Sequence, residues 1–212
     1  MNGRPFIQVA LSTVAFLSAS PSAAQGVEAS FANLQEKLGQ AAAAKPTQEQ
    51  LLSRISQDAF ALQMVLPQIR PADEPEYARS IEHDARLLEQ ARTAAEPEAA
   101  AILADVADDL EVKRLASSGM GAGSAFPGRI KVRVKTLRNG QAAPGYRITL
   151  NPVRWRNQEP MYRLPSLSPA SGDVPPGKYE VAALQDNVVK AREVFRVGLA
   201  AEDEVTIELS VP

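Results

Sequence analysis

Apolar residues recur at helical spacing through the first half of this chain and at every second position through its C-terminal part. Val27, Phe31, Leu34, Leu38 and Ala41 fall on one face of a helix. Pro46 interrupts, and Thr47 with Gln50 forms a capping-box pattern that opens a second helix striped by Leu51, Ile55, Ala59, Leu62 and Leu66. Pro67, Pro71 and Pro75 then break the chain, with Pro75 placed to sit in the first turn of a third helix. That helix carries Tyr77, Ile81, Ala85, Leu88 and Ala95 on one side. Pro97 starts a fourth, with Ile102, Leu103, Val106 and Leu110 facing inward. Four helices of similar length, each with one apolar stripe and short connections, predict an antiparallel bundle.

Ser117 to Ser124 holds three glycines and three serines in eight residues, a composition that stops a helix and makes a flexible linker. Beyond it the period becomes two. Ile130, Val132 and Val134 alternate with Lys131, Arg133 and Lys135, the signature of a strand with one buried face. Tyr146, Ile148 and Leu150 repeat the pattern, as do Tyr179, Val181 and Ala183, then Phe195 with Val197, and finally Val205, Ile207, Leu209 and Val211. Arg138-Asn139-Gly140 and Pro175-Pro176-Gly177 supply turn chemistry. About seven short strands in this span argue for an antiparallel β-sandwich. The predicted class is therefore α+β with two domains: a helical bundle over 25–118, a Gly/Ser-rich linker over 119–127, and a sandwich over 128–212.

The N-terminus changes where this architecture is expected to work. Arg4 precedes an apolar run from Phe6 to Leu17, and Ser22-Ala23-Ala24 offers the small residues read by a signal peptidase. Residues 1–24 are read as a signal peptide cleaved before Gln25, because a membrane-spanning helix needs about 20 apolar residues. No later segment is apolar enough to span. The chain has no cysteine, which excludes a lipid-anchored lipoprotein and disulfide staples. A periplasmic or secreted bacterial protein held by its core is the expectation.

The near-neutral total of −2 hides an asymmetry. Residues 25–118 carry 16 acidic and 9 basic side chains; residues 119–212 carry 9 acidic and 13 basic. Export together with the acidic first half argues against a nucleic-acid partner.

The segments Ile130 to Leu137, Asn139-Gly140-Gln141-Ala142-Ala143-Pro144-Gly145-Tyr146-Arg147-Ile148 and Val174-Pro175-Pro176-Gly177-Lys178-Tyr179-Glu180-Val181 together resemble a carboxypeptidase regulatory-like domain. The family's first turn is altered here, since Pro144 lies beside Gly145, and Val174 stands where leucine is usual. The resemblance implies a prealbumin-like (transthyretin-like) sandwich in a non-catalytic, appended role, and it implies no ligand. Transthyretin-like hydroxyisourate hydrolases are excluded, because their several histidines and Tyr-Arg-Gly-Ser terminus have no counterpart in this sandwich.

Catalytic chemistry is sparse. The lone histidine, His83, falls off the Tyr77–Ile81–Leu88 stripe and is expected in solvent, and Ser80 occupies the place a Glu-x-x-His ligand pair would need. No Gly-x-Ser-x-Gly elbow accompanies it, and the glycines at 119–123 precede a strand, so they do not form a phosphate or dinucleotide loop. Asp105, Asp108, Asp109 and Glu111 read as the solvent side of the fourth helix, with Asp109 and Lys113 an i,i+4 pair. No catalytic residue, metal or cofactor is assigned.

The remaining constellation is basic. Lys131, Arg133 and Lys135 form an outward face, joined by Arg147, while Arg154, Arg156 and Arg163 surround Trp155 and Tyr162. Three readings stand: a carbohydrate- or polyanion-binding surface built on Arg154, Trp155, Arg156, Tyr162 and Arg163; strands protected from edge pairing, with Trp155 in the core; or a face on which the acidic bundle docks. The expected function is an exported, non-catalytic cell-envelope protein whose sandwich serves interaction or assembly, with an envelope protein or a glycan as partner.

Overall fold

A computed structural model describes residues 26–118, 129–198 and 204–212. Residues 1–24, read above as a signal peptide, and the Gly/Ser-rich segment 119–127 lie outside the described residues. Four helices come first: α1 (Val27–Ala44), α2 (Glu49–Gln63), α3 (Glu74–Thr93) and α4 (Glu96–Ser118). Consecutive helices run antiparallel, yet α1 lies parallel beside α3 and α2 parallel beside α4. Asn33 Nδ2 donates to Glu82 Oε2 (3.1 Å) and Lys45 Nζ to the Ala94 carbonyl (2.6 Å), while Arg114 Nε donates to Asp58 Oδ1. The chain thus folds as two helical hairpins, with α2 and α3 at opposite corners.

Phe31, Leu34, Ile55, Leu62, Tyr77, Ile81, Leu88, Leu103 and Leu110 fill the bundle core. The stripe of α2 is turned slightly from its expected phase: Leu52 is buried and Leu51 only half-buried. Leu66 belongs to the 3-10 turn after α2, and Ala95 is exposed beyond α3. Pro75 occupies the first turn of α3, as expected. The capping box does not form. Pro46–Gln48 make a 3-10 turn, and the Thr47 hydroxyl donates to Glu96 Oε2 (2.9 Å) at the start of α4 instead. A carboxylate brought close by the parallel α2–α4 packing outcompetes the local cap.

The second half is a sandwich of eight strands: β1 (Ile130–Arg138), β2 (Gln141–Ala142), β3 (Arg147–Pro152), β4 (Tyr162–Leu167), β5 (Ala170–Val174), β6 (Gly177–Gln185), β7 (Val188–Val197) and β8 (Glu204–Ser210). One sheet is ordered β4-β3-β6-β7, all antiparallel; in the other, β1 pairs with β2, β5 and β8. Among the described residues, only the β1–β8 pair is parallel, with Val132 opposite Val205 and Val134 opposite Ile207. Val132, Val134, Ile148, Leu150, Val181, Ala183, Ile207 and Leu209 form the inter-sheet core. Asn139 (φ 52°) with Gly140 (φ 77°), and Asp186 (φ 53°) with Asn187 (φ 61°), supply the paired left-handed residues that tight hairpins require.

Candidate functional site

The two halves meet along α4, and the meeting is built from charge. Lys113 is fully buried; its ammonium donates to Asp84 Oδ2 on α3 (2.7 Å) and to Asp109 Oδ2 one turn back on α4. The other oxygen of Asp109 accepts the backbone N–H of Lys178 at the start of β6. Burial pushes the Asp84 carboxyl up to about 8, with Lys113 opposing and Asp109 adding to the rise. Burial alone would lower Lys113, but the charges of Asp109 and Asp84 outweigh it and hold the ammonium above its ordinary value. Two carboxylates around one cation would leave excess negative charge, and a proton retained on Asp84 removes it.

Two glycines permit the close approach. A Cβ at Gly177 would lie 3.0 Å from Asp109 Oδ1 and 3.3 Å from Tyr179 Cε2. At Gly198 (φ 112°) it would lie 2.8 Å from Ile130 Cδ1 and 3.3 Å from Ala116 Cβ on α4. The Pro-Pro-Gly-Lys-Tyr segment therefore does more than turn the chain. Its tyrosine hydroxyl donates to the Pro175 carbonyl (2.8 Å), and its glycine and lysine backbone receive α4.

Around this buried cluster runs a row of ion pairs. Asp105 accepts from Arg154 Nε (2.6 Å) and Lys178 Nζ (2.9 Å); Asp108 accepts from Lys178 Nζ (3.0 Å) and Arg196 Nη2 (2.6 Å). Burial resists ionisation of Asp108, but Lys178 and Arg196 prevail and hold it below the usual carboxylate range. Arg129 reaches Asp73 (3.3 Å) and Glu76 (2.9 Å). The acidic side of α4, expected in solvent, is thus the seam with the sandwich. The reason is that α4 is packed on two sides, its apolar stripe against the bundle and its carboxylates against β6 and β7.

His83 is likewise corrected from exposed to buried. Its Nε2–H donates to the Val153 carbonyl (2.9 Å), and its ring lies 5.4 Å from that of Trp155 at a tilt of 53°. Burial lowers its pKa, with the Val153 hydrogen bond acting the other way. The β3–β4 connection covers the side of α3 that the helical stripe leaves free.

This connection borders a recess of about 600 Å³, lined by Trp155, Asn157 and Gln158 from the loop and by Arg79 and Arg86 from α3. A second groove, of about 660 Å³, lies between α1 and α2 among Leu38, Ala42, Leu52, Ala59 and Phe60. Phe60 and Met64 are 64% and 66% exposed, the largest values among the big apolar side chains described.

The sequence-predicted residues separate. Arg154 belongs to the seam, and Trp155 is half-buried between His83 and the Arg86 guanidinium, which lies 5.5 Å from its ring centre. Tyr162 packs edge-on against Tyr179 (5.8 Å), and burial raises its hydroxyl pKa. Arg156 and Arg163 are exposed, and neither lines the recess. The face of Lys131, Arg133 and Lys135 meets acids on the parallel neighbour β8: Lys131 and Arg133 pair with Glu204 (3.4 and 3.0 Å), and Lys135 lies 4.0 Å from Glu208. Arg147 sits on the other sheet and donates to Asn187 Oδ1 (2.9 Å). Sequence reasoning passed over Arg79 and Arg86, although Arg79, His83 and Arg86 at i, i+4 and i+7 share one helical face.

Among the described residues, no cluster of three or more His, Cys, Asp or Glu side chains is arranged to hold a metal ion, and no helix is long and apolar enough to cross a membrane. No family model, curated protein or solved structure matches this chain.

Proposed function

We propose that this chain is an exported, non-catalytic cell-envelope protein that acts through binding, with a carboxypeptidase regulatory-like sandwich as its interaction or assembly module and the helical bundle as its partner-binding element. The observation that carries this reading is the use to which the reactive groups are put. Lys113, Asp84 and Asp109 are spent on one another, His83 on a backbone carbonyl, and Lys178 on Asp105 and Asp108. Each is a residue type that catalysis employs; here Asp109, His83 and Lys178 join the bundle to the sandwich, while Lys113 and Asp84 tie α4 to α3. A site working as general base or nucleophile needs such groups aimed at a substrate.

The exported setting rests on the signal-peptide reading of residues 1–24, and fusing those residues to a reporter that folds only outside the cytoplasm tests it. The interaction reading is tested by in-cell crosslinking of the exported protein. A defined envelope partner should be captured by the wild type and lost with the Phe60→Ser/Met64→Ser variant, whose changes lie on the most exposed apolar surface. Turnover of an envelope substrate by the purified protein, with no crosslinked partner and no self-assembly, would overturn the reading.

A further inference from the structure

We propose that the recess between α3 and the β3–β4 connection binds an acidic saccharide, a uronate-containing glycan, through Arg79, Arg86 and Trp155. The proposal rests on the binding role given above and names a ligand class for one surface.

Three features of the recess point to this ligand. First, its cations are available. Arg54 on α2, and Arg129, Arg154, Lys178 and Arg196 along the seam, are all engaged by carboxylates. Among the described residues, neither Arg79 nor Arg86 lies within ion-pair distance of one. Arg86 spends only its flat face, laid 5.5 Å from the Trp155 ring centre, and a stacked guanidinium keeps its in-plane N–H donors for a carboxylate.

Second, the wall is set in advance. Trp155 Nε1 donates to the Glu159 carbonyl (2.9 Å), the Trp155 N–H to the Pro152 carbonyl (3.1 Å), and the Met161 N–H to Asn151 Oδ1 (2.7 Å). His83 and Asp105 hold the same loop from the helical side through Val153 and Arg154. A loop tied at five points loses little freedom when a ligand arrives.

Third, the other lining groups suit hydroxyls. Asn157 and Gln158 each bring an amide donor and acceptor, and the Glu159 carboxylate, which also lines the recess, accepts from a hydroxyl. Two guanidinium groups against one carboxylate leave the recess net positive, matching an anion that also carries hydroxyls better than a neutral sugar. Seven residues along α3 separate the arginines by about 10 Å, so they address different points of an extended ligand rather than one small ion. A volume of about 600 Å³ lies within the range of small-molecule sites, ~300–1,000 Å³.

Isothermal titration of the purified full chain with trigalacturonate, neutral maltotriose and inorganic phosphate tests this. The expected result is binding of trigalacturonate alone, with a change in Trp155 fluorescence. Arg79→Gln and Arg86→Gln should each weaken it about tenfold, while Arg163→Gln leaves it unchanged. Both arginines are exposed, so circular dichroism should show unaltered folding in the variants. Equal binding of maltotriose, equal binding of phosphate, absence of trigalacturonate binding, or wild-type affinity in both arginine variants overturns the proposal. Those failures leave the α1–α2 groove and its crosslinked partner untouched, so they are distinguishable from failure of the broader binding role.

Discussion

Replacing Lys113 by methionine removes the cation at the centre of the junction while keeping most of the side-chain volume. Asp84 and Asp109 then face each other in a site from which water is excluded, since Lys113 is fully buried and Asp84 is 1% exposed. Removing one partner of a buried ion pair costs about 3–5 kcal/mol, because the remaining charge has lost both its partner and its hydration. For a chain of this size each kcal/mol moves Tm by about 2–4 °C, so a fall of roughly 6–20 °C is expected. The cost should shrink in acid, where Asp84 keeps its proton and the repulsion with Asp109 disappears. Trp155 is the sole tryptophan and touches His83 across the junction, so its emission reports separation of the halves, while far-UV circular dichroism follows the helices. Thermal and urea unfolding at pH 5 and pH 8, read by both probes, make the assay. Adding Asp84→Asn and Asp109→Asn to Lys113→Met should recover more than half of the loss. A cost below about 1 kcal/mol at pH 8, or no recovery in the triple variant, would refute the view that this cluster holds the halves together.

Asp84 also sets a pH dependence of the native protein. Its folded value of about 8 lies above the ordinary 3.8, so the folded state binds the extra proton between them. Stability from this group is full below about pH 4 and is lost as the pH rises through about 8, and Asp84→Asn should flatten that decline in urea titrations. Gly177→Ala places a methyl 3.0 Å from Asp109 Oδ1 and should cost about 1–3 kcal/mol in urea unfolding; a neutral result would mean that α4 and β6 can separate without penalty. Gly198→Ala adds a strained backbone (φ 112°) to a clash with Ile130, and its Tm should fall further than that of Gly177→Ala. Substituting Lys131, Arg133 and Lys135 by glutamine should shift stability by no more than about 1 kcal/mol, since these pairs with β8 are exposed, and a larger loss in denaturant titration would contradict that.

Much of the fold is legible in short stretches of sequence. The stripe through Phe31 and Leu34, the alternation of Ile130, Val132 and Val134, and the Asn139-Gly140 turn each depend on a few neighbouring residues, and each forms. Thr47 and Gln50 do not make their cap because Glu96, 49 residues from Thr47, takes the hydroxyl. Asp109 and Lys113 do pair at i,i+4, but in a buried setting that their spacing does not reveal. The charge asymmetry between the halves is expressed as docking of the acidic bundle on the basic half. It is realised through Arg129, Arg154, Lys178 and Arg196, whereas Lys131, Arg133 and Lys135 turn to β8.

Sequence by itself determined the two periods, the division between helices and strands, and the inventory of charged groups available to each half. Only the tertiary structure decided that α3 and α4 have a second buried face, that β8 lies parallel to β1, and that Arg79 and Arg86 border the same recess as Trp155. Periodicity reports how a segment divides its residues between one apolar environment and everything else. Whether that remainder is water or another domain is set by groups far away in the chain, and here opposite charges brought together under low solvent access made it another domain.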